Sequence, residues 1–335
     1  MTEMSPSVGS QASDGKLEII DFHNHFIPAP WEPTTTRKAT GARLEMWTRV
    51  NRKLTDRQAL LADVESGDIV ARVVNVPTAL MADENGEVGR DAYRRINETL
   101  AQLVAESNGK LIGLASVDAF GGDHAAMEAE YAIGKLGLKG LFLDCAKGDR
   151  FLDASEARPA LRIAAALGVP VFVHPIDPMP LSRQMAPYGR VAGLLARGTS
   201  NAASILAMAN GKVFDELPDL KVVVTALAIN ALLLQRSFGH LAGSIPDFVR
   251  NNVYVDTLGL DGVTLKASLD CVGAERVLVG SDWPILNDQP IAQRVCAAFA
   301  AAGLSQADAR LVASGNARRL LGLGDTEVKA QGRKE

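Results

Sequence analysis

Short apolar runs alternate along the chain with longer amphipathic segments. The runs predict eight strands, at 19–23, 69–77, 111–118, 138–144, 169–174, 221–225, 253–256 and 276–281. The segments between them carry apolar residues at helical spacing, and 91–107 is predicted as one such helix. Thr55 with Gln58 three residues later is a capping-box pattern, which predicts that another helix begins near Thr55.

The order of these elements predicts the fold class. Strands that alternate with helices form right-handed βαβ units, and such units build a parallel sheet. Eight of them favour an α/β fold of the closed (β/α)8 TIM barrel type, while a doubly wound open sheet is the alternative. Neither GxGxxG nor the phosphate-loop pattern follows a predicted strand, which disfavours a nucleotide site.

We expect a single domain, because no glycine- or proline-rich linker divides the chain. The barrel is predicted over 17–324, with a disordered tail over 1–16 and a polar tail over 325–335. Two connections are long: 27–54 follows the first predicted strand, and 175–220 follows the fifth. Both leave the C-terminal end of a strand, which is the face where barrel enzymes build their sites.

Composition and charge exclude several classes of protein. The chain of 335 residues has 35 Lys and Arg against 39 Asp and Glu, a formal net charge of −4, so it lacks the basic field of a nucleic-acid-binding protein. No apolar run reaches the roughly 18 residues that a membrane span needs. The three cysteines form no CxxC pair and the N-terminal segment has no signal-peptide pattern, so we expect a cytoplasmic protein.

Histidine is rare, and three of the five histidines fall at predicted strand ends. His23 and His25 lie two residues apart on an extended segment and therefore point to the same side. His174 ends the fifth predicted strand and Asp282 follows the eighth, so all four side chains are expected at the barrel mouth. Three imidazoles and one carboxylate suit a single zinc ion, with manganese, iron or cobalt as alternatives.

The remaining histidines and the other strand ends carry weaker signals. His124 is expected at the surface or as a helix cap, and His240 in a helix with a structural or an outer supporting role. Polar residues also end other predicted strands, and one of them is expected either to bind substrate or to cap the barrel mouth: Asn75, Asp118, Asp144 and Asp256.

Five segments together resemble one family, the amidohydrolase-2 branch of the amidohydrolase superfamily. They are IIDFHNHFIPAPW (19–31), VFVHPIDP (171–178), GKVFDELPDLKVVV (211–224), 251–285 with its VLVGSDWPI ending, and GNARRLLGL (315–323). The resemblance covers about 19–323 and implies a (β/α)8 barrel, one divalent ion on His23, His25, His174 and Asp282, and a homodimer. The fourth strand ends without the carbamylated lysine of binuclear members, which favours a mononuclear site.

One departure from the family pattern concerns the sixth strand. Family members place a histidine after it as general acid/base, and alignment through 218–221 puts Ala226 at that position, give or take one residue. Alanine cannot transfer a proton. Three explanations are open: another base with Asp282 as first candidate, an engineered substitution, or lost activity. The glycines that follow the family histidine are also missing, which favours a natural variant.

The resemblance implies a metal-dependent decarboxylase, a carbon–carbon lyase, acting on a small aromatic or ring-cleaved carboxylic acid. The missing histidine supports an alternative, a hydrolase of a lactone, amide or ring-cleavage product with Asp282 as catalytic base. A pseudoenzyme is the third hypothesis. The side chains predicted to contact a carboxylate or planar substrate are Trp31, Arg43, Arg49, Arg52 and Trp283.

Overall fold

The computed structural model describes residues 16–37, 39–81, 88–239, 248–287 and 289–324. The two predicted tails, apart from Lys16, and His240 lie outside the described residues. Across these described ranges, none of the helices combines the length and the apolar character needed to cross a membrane.

Parallel strands form the centre of the molecule. The barrel strands are β1 (Ile20–His25), β2 (Ala71–Asn75), β3 (Leu111–Gly113), β4 (Ala115–Ser116), β5 (Leu141–Asp144), β8 (Val171–His174), β9 (Val222–Val224), β10 (Val253–Asp256) and β11 (Val277–Leu278). They pair in the orders β1-β2-β3 and β11-β10-β9-β8-β5-β4, with every pairing in these two sheets parallel. A short antiparallel pair, β6 (Ala146–Lys147) and β7 (Arg150–Phe151), lies outside the barrel order.

Backbone hydrogen bonds join the two sheets into a closed ring. Only Leu114 separates β3 from β4, and its N–H donates to the Val74 carbonyl at 2.9 Å, so the two strands occupy one barrel position. On the other side, the N–H of Phe22 donates to the Val279 carbonyl at 2.7 Å. The eight predicted strand positions and the closed (β/α)8 barrel are therefore confirmed, and the open sheet is excluded.

Helices surround the barrel and also fill both long connections. They are α1 (Gly41–Leu54), α2 (Arg57–Glu65), α3 (Ala92–Ala105), α4 (Asp123–Gly134), α5 (Arg158–Ala166), α6 (Leu181–Met185), α7 (Arg190–Asn210), α8 (Val213–Glu216), α9 (Ile229–Phe238), α10 (Phe248–Asn251), α11 (Gly262–Val272), α12 (Ala292–Ala302), α13 (Gln306–Arg310) and α14 (Asn316–Leu320). The connection after β1 contains α1, and the connection after β8 contains α6, α7 and α8.

The start of α2 corrects one sequence prediction. The helix begins at Arg57, and its N-cap is Asp56, whose carboxylate accepts from the N–H groups of Gln58 and Ala59 at 2.9 and 3.1 Å. Thr55 instead ends α1, and its hydroxyl donates to the Asn51 carbonyl. The predicted cap at Thr55 is wrong by one residue, because the neighbouring carboxylate can accept two of the free N–H groups at once.

Two apolar layers support the fold. Side chains including Phe22, Phe142, Phe172 and Leu278 fill the barrel interior, and the Phe22 and Phe172 rings meet edge to face at 5.9 Å. A second, larger cluster fills the space between the strands and the helices. The aromatic filling of the interior provides a floor beneath the barrel mouth.

An irregularity in β1 changes which side chains face inward. Asp21 pairs with Arg72 and Asn24 pairs with Val74, so two residues of β1 stand opposite one residue of β2. Such a bulge shifts the alternation of side chains by one position. As a result Phe22 and His23, although adjacent in sequence, both contact the Phe172 ring inside the barrel.

Candidate metal centre

Three histidines meet at the barrel mouth. One ring nitrogen each from His23, His25 and His174 lie within 4.8 Å of one another, and all three side chains are buried. The Nε2 atoms of His23 and His25 are 3.1 Å apart. Two strands separated by more than 140 positions in sequence thus bring three imidazole nitrogens around one point.

Hydrogen bonds fix which nitrogen of each β1 histidine faces this point. The Nδ1–H of His23 donates to Oδ2 of Asp256 at 2.7 Å, and that of His25 donates to Oδ1 of Asn75 at 2.7 Å. A neutral imidazole that donates from Nδ1 carries its lone pair on Nε2. The two Nε2 lone pairs therefore face each other, an arrangement that a shared cation stabilises.

Asp282 brings a carboxylate oxygen to the same point. Its Oδ1 lies 3.2 Å from Nε2 of His25 and 3.5 Å from Nε2 of His23. This oxygen is buried, and no hydrogen-bond donor reaches it from the described residues. Three imidazole nitrogens and one carboxylate oxygen are a donor set that binds divalent transition-metal ions. The residues present therefore fit one ion.

The backbone around Asp282 is held in an uncommon conformation. Asp282 has φ +56°, in the left-handed region that non-glycine residues rarely occupy. The preceding Ser281 is clamped by Asp21, whose two oxygens accept from the serine N–H at 2.9 Å and from its hydroxyl at 2.6 Å. The hydroxyl also accepts from the Trp283 N–H at 3.1 Å. These bonds hold both neighbours of Asp282 and so aim its carboxylate at the histidines.

A buried cation supports the other side of this segment. The guanidinium of Arg72 lies 4.6 Å over the Trp283 ring and forms an ion pair with Asp63, and its side chain is fully buried. Trp283 itself is 2% exposed and packs in the outer apolar cluster. This position supports a packing role, and substrate stacking by Trp283 stays a prediction. The sequence did not predict the roles of Asp21 and Arg72. Asp21 is an acidic residue inside an apolar strand, which is a signal that could have indicated its role.

Burial and neighbouring charges set the protonation of the three histidines. Burial lowers the pKa of His174 well below its ordinary value, and the nearby His25 adds to that effect. Burial also lowers the pKa of His25. Burial acts in the same direction on His23, but the carboxylates of Asp282 and Asp256 outweigh it and raise the His23 pKa. His25 and His174 are thus held in the neutral form that binds metals.

The other predicted site residues lie farther out. Arg43, Arg49 and Arg52 are on α1, where all three are exposed. Trp31 is partly buried and packs against a small cluster that includes Ile27. The structure does not gather these four side chains with the histidines, and their contact with substrate stays a prediction.

Ala226 lies directly beside the site. It is buried in the first turn after β9, and its N–H donates to Oδ1 of Asp256 at 2.9 Å. The other oxygen of that carboxylate holds His23. Ala226, which the sequence resemblance puts within one residue of the family histidine, therefore lies next to the carboxylate that holds His23, and its side chain cannot carry a proton.

Asp144 is a further carboxylate at the mouth. It ends β5, next to His174 in the register of β5 and β8. Burial raises the pKa of Asp144 to about 6, and the positive charges of Arg197 and Lys147 offset burial only in part. Its Oδ1 is buried and has no hydrogen-bond partner among the described residues.

Comparison with known proteins agrees with this geometry. The amidohydrolase family model matches residues 20–323, nearly the whole described chain. The chain belongs to the amidohydrolase family. The family resemblance inferred from the sequence is therefore confirmed, and with it the barrel fold.

This amidohydrolase is similar to several decarboxylases. It is 26% identical over 293 residues to gamma-resorcylate decarboxylase of Polaromonas sp., covering 81% of this chain and 88% of that protein. It is 22% identical to 2-amino-3-carboxymuconate-6-semialdehyde decarboxylase of Dictyostelium discoideum, covering 79% and 81%.

Solved structures share the amidohydrolase fold. Dihydroxybenzoic acid decarboxylase from Polaromonas sp., solved with manganese and 2-nitroresorcinol, superposes with a TM-score of 0.78 at 21% identity, covering 94% of this chain and 99% of that one. 5-Carboxyvanillate decarboxylase from Sphingomonas paucimobilis gives a TM-score of 0.77 at 21% identity, covering 92% and 100%.

Proposed function

We propose that this amidohydrolase is a metal-dependent decarboxylase of a small aromatic or ring-cleaved carboxylic acid. The observation that carries the proposal is the convergence of two Nδ1-anchored imidazoles, a third histidine and the unpartnered Oδ1 of Asp282 on one point. The similarity to several decarboxylases that act on aromatic and ring-cleavage acids supports this choice of reaction.

In this proposal His23, His25, His174 and Asp282 hold one divalent ion. When bound, the ion polarises the oxygen atoms of a substrate carboxylate or of water. Asp256 and Asn75 keep the two β1 imidazoles oriented. The ligand set suits zinc, and manganese is present in a structure of a similar decarboxylase. We propose zinc first and manganese second.

Loss of CO2 leaves a carbon that must receive a proton. Ala226 cannot supply it, so we assign proton transfer to the Asp282 carboxylate, whose Oδ1 lies 3.2 Å from Nε2 of His25. In this scheme the carboxylate takes a proton from water and passes it to the carbon, and the hydroxide that is left combines with the released CO2 as bicarbonate. In the same scheme the arginines of α1, Arg43, Arg49 and Arg52, attract the substrate carboxylate, and Trp31 packs beside it.

Hydrolysis is the second candidate, and the buried Ala226 is the observation that favours it. A hydrolase needs one base to activate water, and Asp282 alone can meet that need. A decarboxylase of the family pattern needs the additional donor that Ala226 lacks.

Metal content and activity test the function together. Plasma mass spectrometry of the purified protein is expected to give about one ion per chain, lost in His23→Ala/His25→Ala but kept in His124→Ala, which removes an imidazole on α4. The loaded enzyme is then supplied with 2,6-dihydroxybenzoate and 5-carboxyvanillate for CO2 release, and with lactones and amides for hydrolysis.

The outcomes separate the hypotheses. Metal-dependent CO2 release supports the decarboxylase, and turnover of lactones or amides alone supports the hydrolase. Bound metal without turnover, together with CO2 release gained by Ala226→His, identifies a pseudoenzyme with a degenerate site. A protein that binds no ion would contradict the proposed site altogether.

We also propose a cytoplasmic homodimer. The three cysteines are free thiols, as expected in a reducing compartment. Helices α7 and α9 and the turn before α7 expose large apolar side chains, each more than half exposed: Tyr188, Val191, Leu195, Leu234 and Phe238. Exposed large apolar side chains on neighbouring helices are a feature of interfaces between copies, and this supports the proposal.

The dimer has a direct test. Light scattering after size-exclusion chromatography is expected to give twice the mass of 35.5 kDa. Val191→Glu is expected to give the monomer, whereas Val263→Glu, at an equally exposed valine on α11, is expected to leave the dimer intact. A monomeric wild-type protein at micromolar concentration would contradict the proposal.

A further inference from the structure

We propose that Asp144 is a specificity-determining residue, which accepts a hydrogen bond from an O–H or N–H group carried by the substrate. The proposal rests on the decarboxylase or hydrolase function proposed above, and it assigns to this site a substrate contact on the β5 side of the mouth. Four observations support it: the direction of the side chain, its unpartnered oxygen, the contrast with nearby carboxylates, and the charge around it.

The alternation of β5 directs Asp144 into the mouth. Leu141 and Leu143 pack in the cluster outside the barrel, whereas Phe142 packs inside it. Residues two apart on a strand share a face, so Asp144 lies on the inner side, above Phe142. The Phe142 ring is 5.0 Å from the His174 ring, and Asp144 is the register partner of His174. Asp144 is therefore at the level of His174, on the inner face of the neighbouring strand.

The Asp144 carboxylate is not satisfied within the protein. Its Oδ1 is buried and receives no hydrogen bond from the described residues. Arg197 acts on Asp144 through its charge. Its Nη2 donates to the Pro175 carbonyl at 2.6 Å, and its Nη1 lies 3.6 Å from Asp177. A buried acceptor without a donor is costly, and most native structures pair such atoms.

Two other carboxylates at strand ends differ from Asp144, because both accept hydrogen bonds from the protein. Asp118, which follows β4, accepts from the Phe120 N–H at 3.1 Å and from Lys147 at 2.9 Å. Asp256, at the end of β10, accepts from His23 and from the N–H groups of Ala226 and Leu258. Both of these carboxylates have hydrogen-bond donors from the protein itself. The unpartnered oxygen of Asp144 is left for a group that enters from outside.

The charge at this position decides which group can enter. A substrate carboxylate placed against Asp144 would meet a second carboxylate, so it belongs on the side of the histidines. A hydroxyl or amino group of the same substrate can donate to Oδ1. A site with a buried acceptor of this kind rejects analogues that lack the donor far more strongly than analogues that lack a methylene group.

The test measures binding to the zinc-loaded protein by calorimetry. The probes are 2-, 3- and 4-hydroxybenzoate, each compared with the fluorobenzoate that has fluorine at the same position. Both members of a pair carry the same carboxylate, so their ratio isolates the donor. We expect at least one hydroxybenzoate to bind about tenfold or more tightly than its fluorobenzoate in the wild-type enzyme.

Three variants test whether Asp144 causes the preference for the hydroxybenzoate over its fluorobenzoate. Asp144→Ala removes the acceptor, and the ratio is expected to fall to within about twofold of one. Asp144→Asn keeps an amide oxygen that can accept, and is expected to retain part of the preference. Asp261→Asn makes the same change of charge at the N-cap of α11, where the carboxylate already accepts from the N–H groups of Val263 and Thr264, and is expected to keep the wild-type ratio. Metal content is expected to be unchanged in all three.

Two results would overturn the proposal while the function stands: a wild-type ratio near one at every position, or an undiminished ratio in Asp144→Ala. Absence of binding by all six benzoates, together with absence of metal-dependent turnover, would overturn both the contact and the function. Loss of metal in Asp144→Ala would also contradict it, because Asp144 would then support the ion and not the substrate.

Discussion

Two hydrogen bonds decide what the imidazoles of His23 and His25 can do. Asp256 and Asn75 take up the two Nδ1–H groups, which leaves both Nε2 lone pairs directed at the point that Oδ1 of Asp282 also approaches. Without these acceptors each ring could rotate or change tautomer, and the two Nε2 atoms would no longer converge.

The clamp on Asp282 leads to a prediction. Ser281→Ala removes the hydroxyl that donates to Asp21 and accepts from the Trp283 N–H, so Asp282 should lose its alignment. We expect zinc affinity to fall by about 10- to 100-fold, measured by competition with a chelator. Ser268→Ala removes another buried hydroxyl, in α11, and should leave the affinity unchanged. Equal affinity in the Ser281 variant would show that the clamp does not position Asp282.

The raised pKa of Asp144 leads to a prediction about stability. Its folded-state pKa, about 6, lies above the ordinary aspartate value of 3.8, so the ionised form destabilises the fold. This cost is absent below the unfolded pKa, grows as the pH rises and is complete above about 6. In metal-free protein, Asp144→Asn should therefore stabilise by about 1–2 kcal/mol more at pH 7.5 than at pH 5. Urea unfolding at both pH values measures the difference, and a pH-independent effect would contradict it.

At the scale of elements, one extra residue in β1 organises the mouth. The bulge lets Phe22 fill the interior while His23 and His25 also turn inward, because the alternation changes phase between Asp21 and Asn24. On β5 the alternation is regular, and Phe142 and Asp144 share the inner face. A bulge in one strand and its absence in another thus place the two β1 histidines and Asp144 in the same layer.

The corrected start of α2 can be tested by a matched pair. Asp56→Ala removes the carboxylate that accepts from two backbone N–H groups, and is expected to lower the free energy of unfolding by about 1 kcal/mol. Thr55→Ala removes only a hydroxyl that donates to a carbonyl of α1, and should cost less. Chemical denaturation compares the two. A larger loss of unfolding free energy in the Thr55 variant would mean that Thr55, and not Asp56, caps α2.

At the scale of the whole molecule, the candidate metal centre at the barrel mouth brings together distant parts of the chain. The proposed ligands come from the first barrel strand, the fifth, and the segment after the last, where the N–H of His25 also donates to the Trp283 carbonyl at 2.9 Å. The ring must close for these parts to meet, so an ion bound here is linked to the stability of the whole barrel.

Removal of the ion is therefore expected to lower the melting temperature. Zinc at 100 times its dissociation constant should stabilise the folded state by about 2.7 kcal/mol, and a chelator should remove that gain. Differential scanning fluorimetry with and without EDTA measures the shift. His23→Ala/His25→Ala should show little response to either addition. An equal response in that variant would mean that the ion acts elsewhere on the protein.

The sequence by itself determined the order of strands and helices and four of the side chains at the mouth. Alternating apolar runs depend on local periodicity, and strand-end positions in a parallel barrel all meet at one face. His23, His25, His174 and Asp282 could therefore be named without coordinates.

Only the tertiary structure decided how these side chains are held. The partners of His23 and His25 lie 233 and 50 residues away, and no local pattern specifies which acceptor a closed ring brings to which nitrogen. The bulge in β1, the burial of Trp283 against Arg72 and the unpartnered oxygen of Asp144 likewise depend on packing between strands. The composition of each segment is local, whereas register and hydrogen-bond satisfaction are properties of the closed barrel.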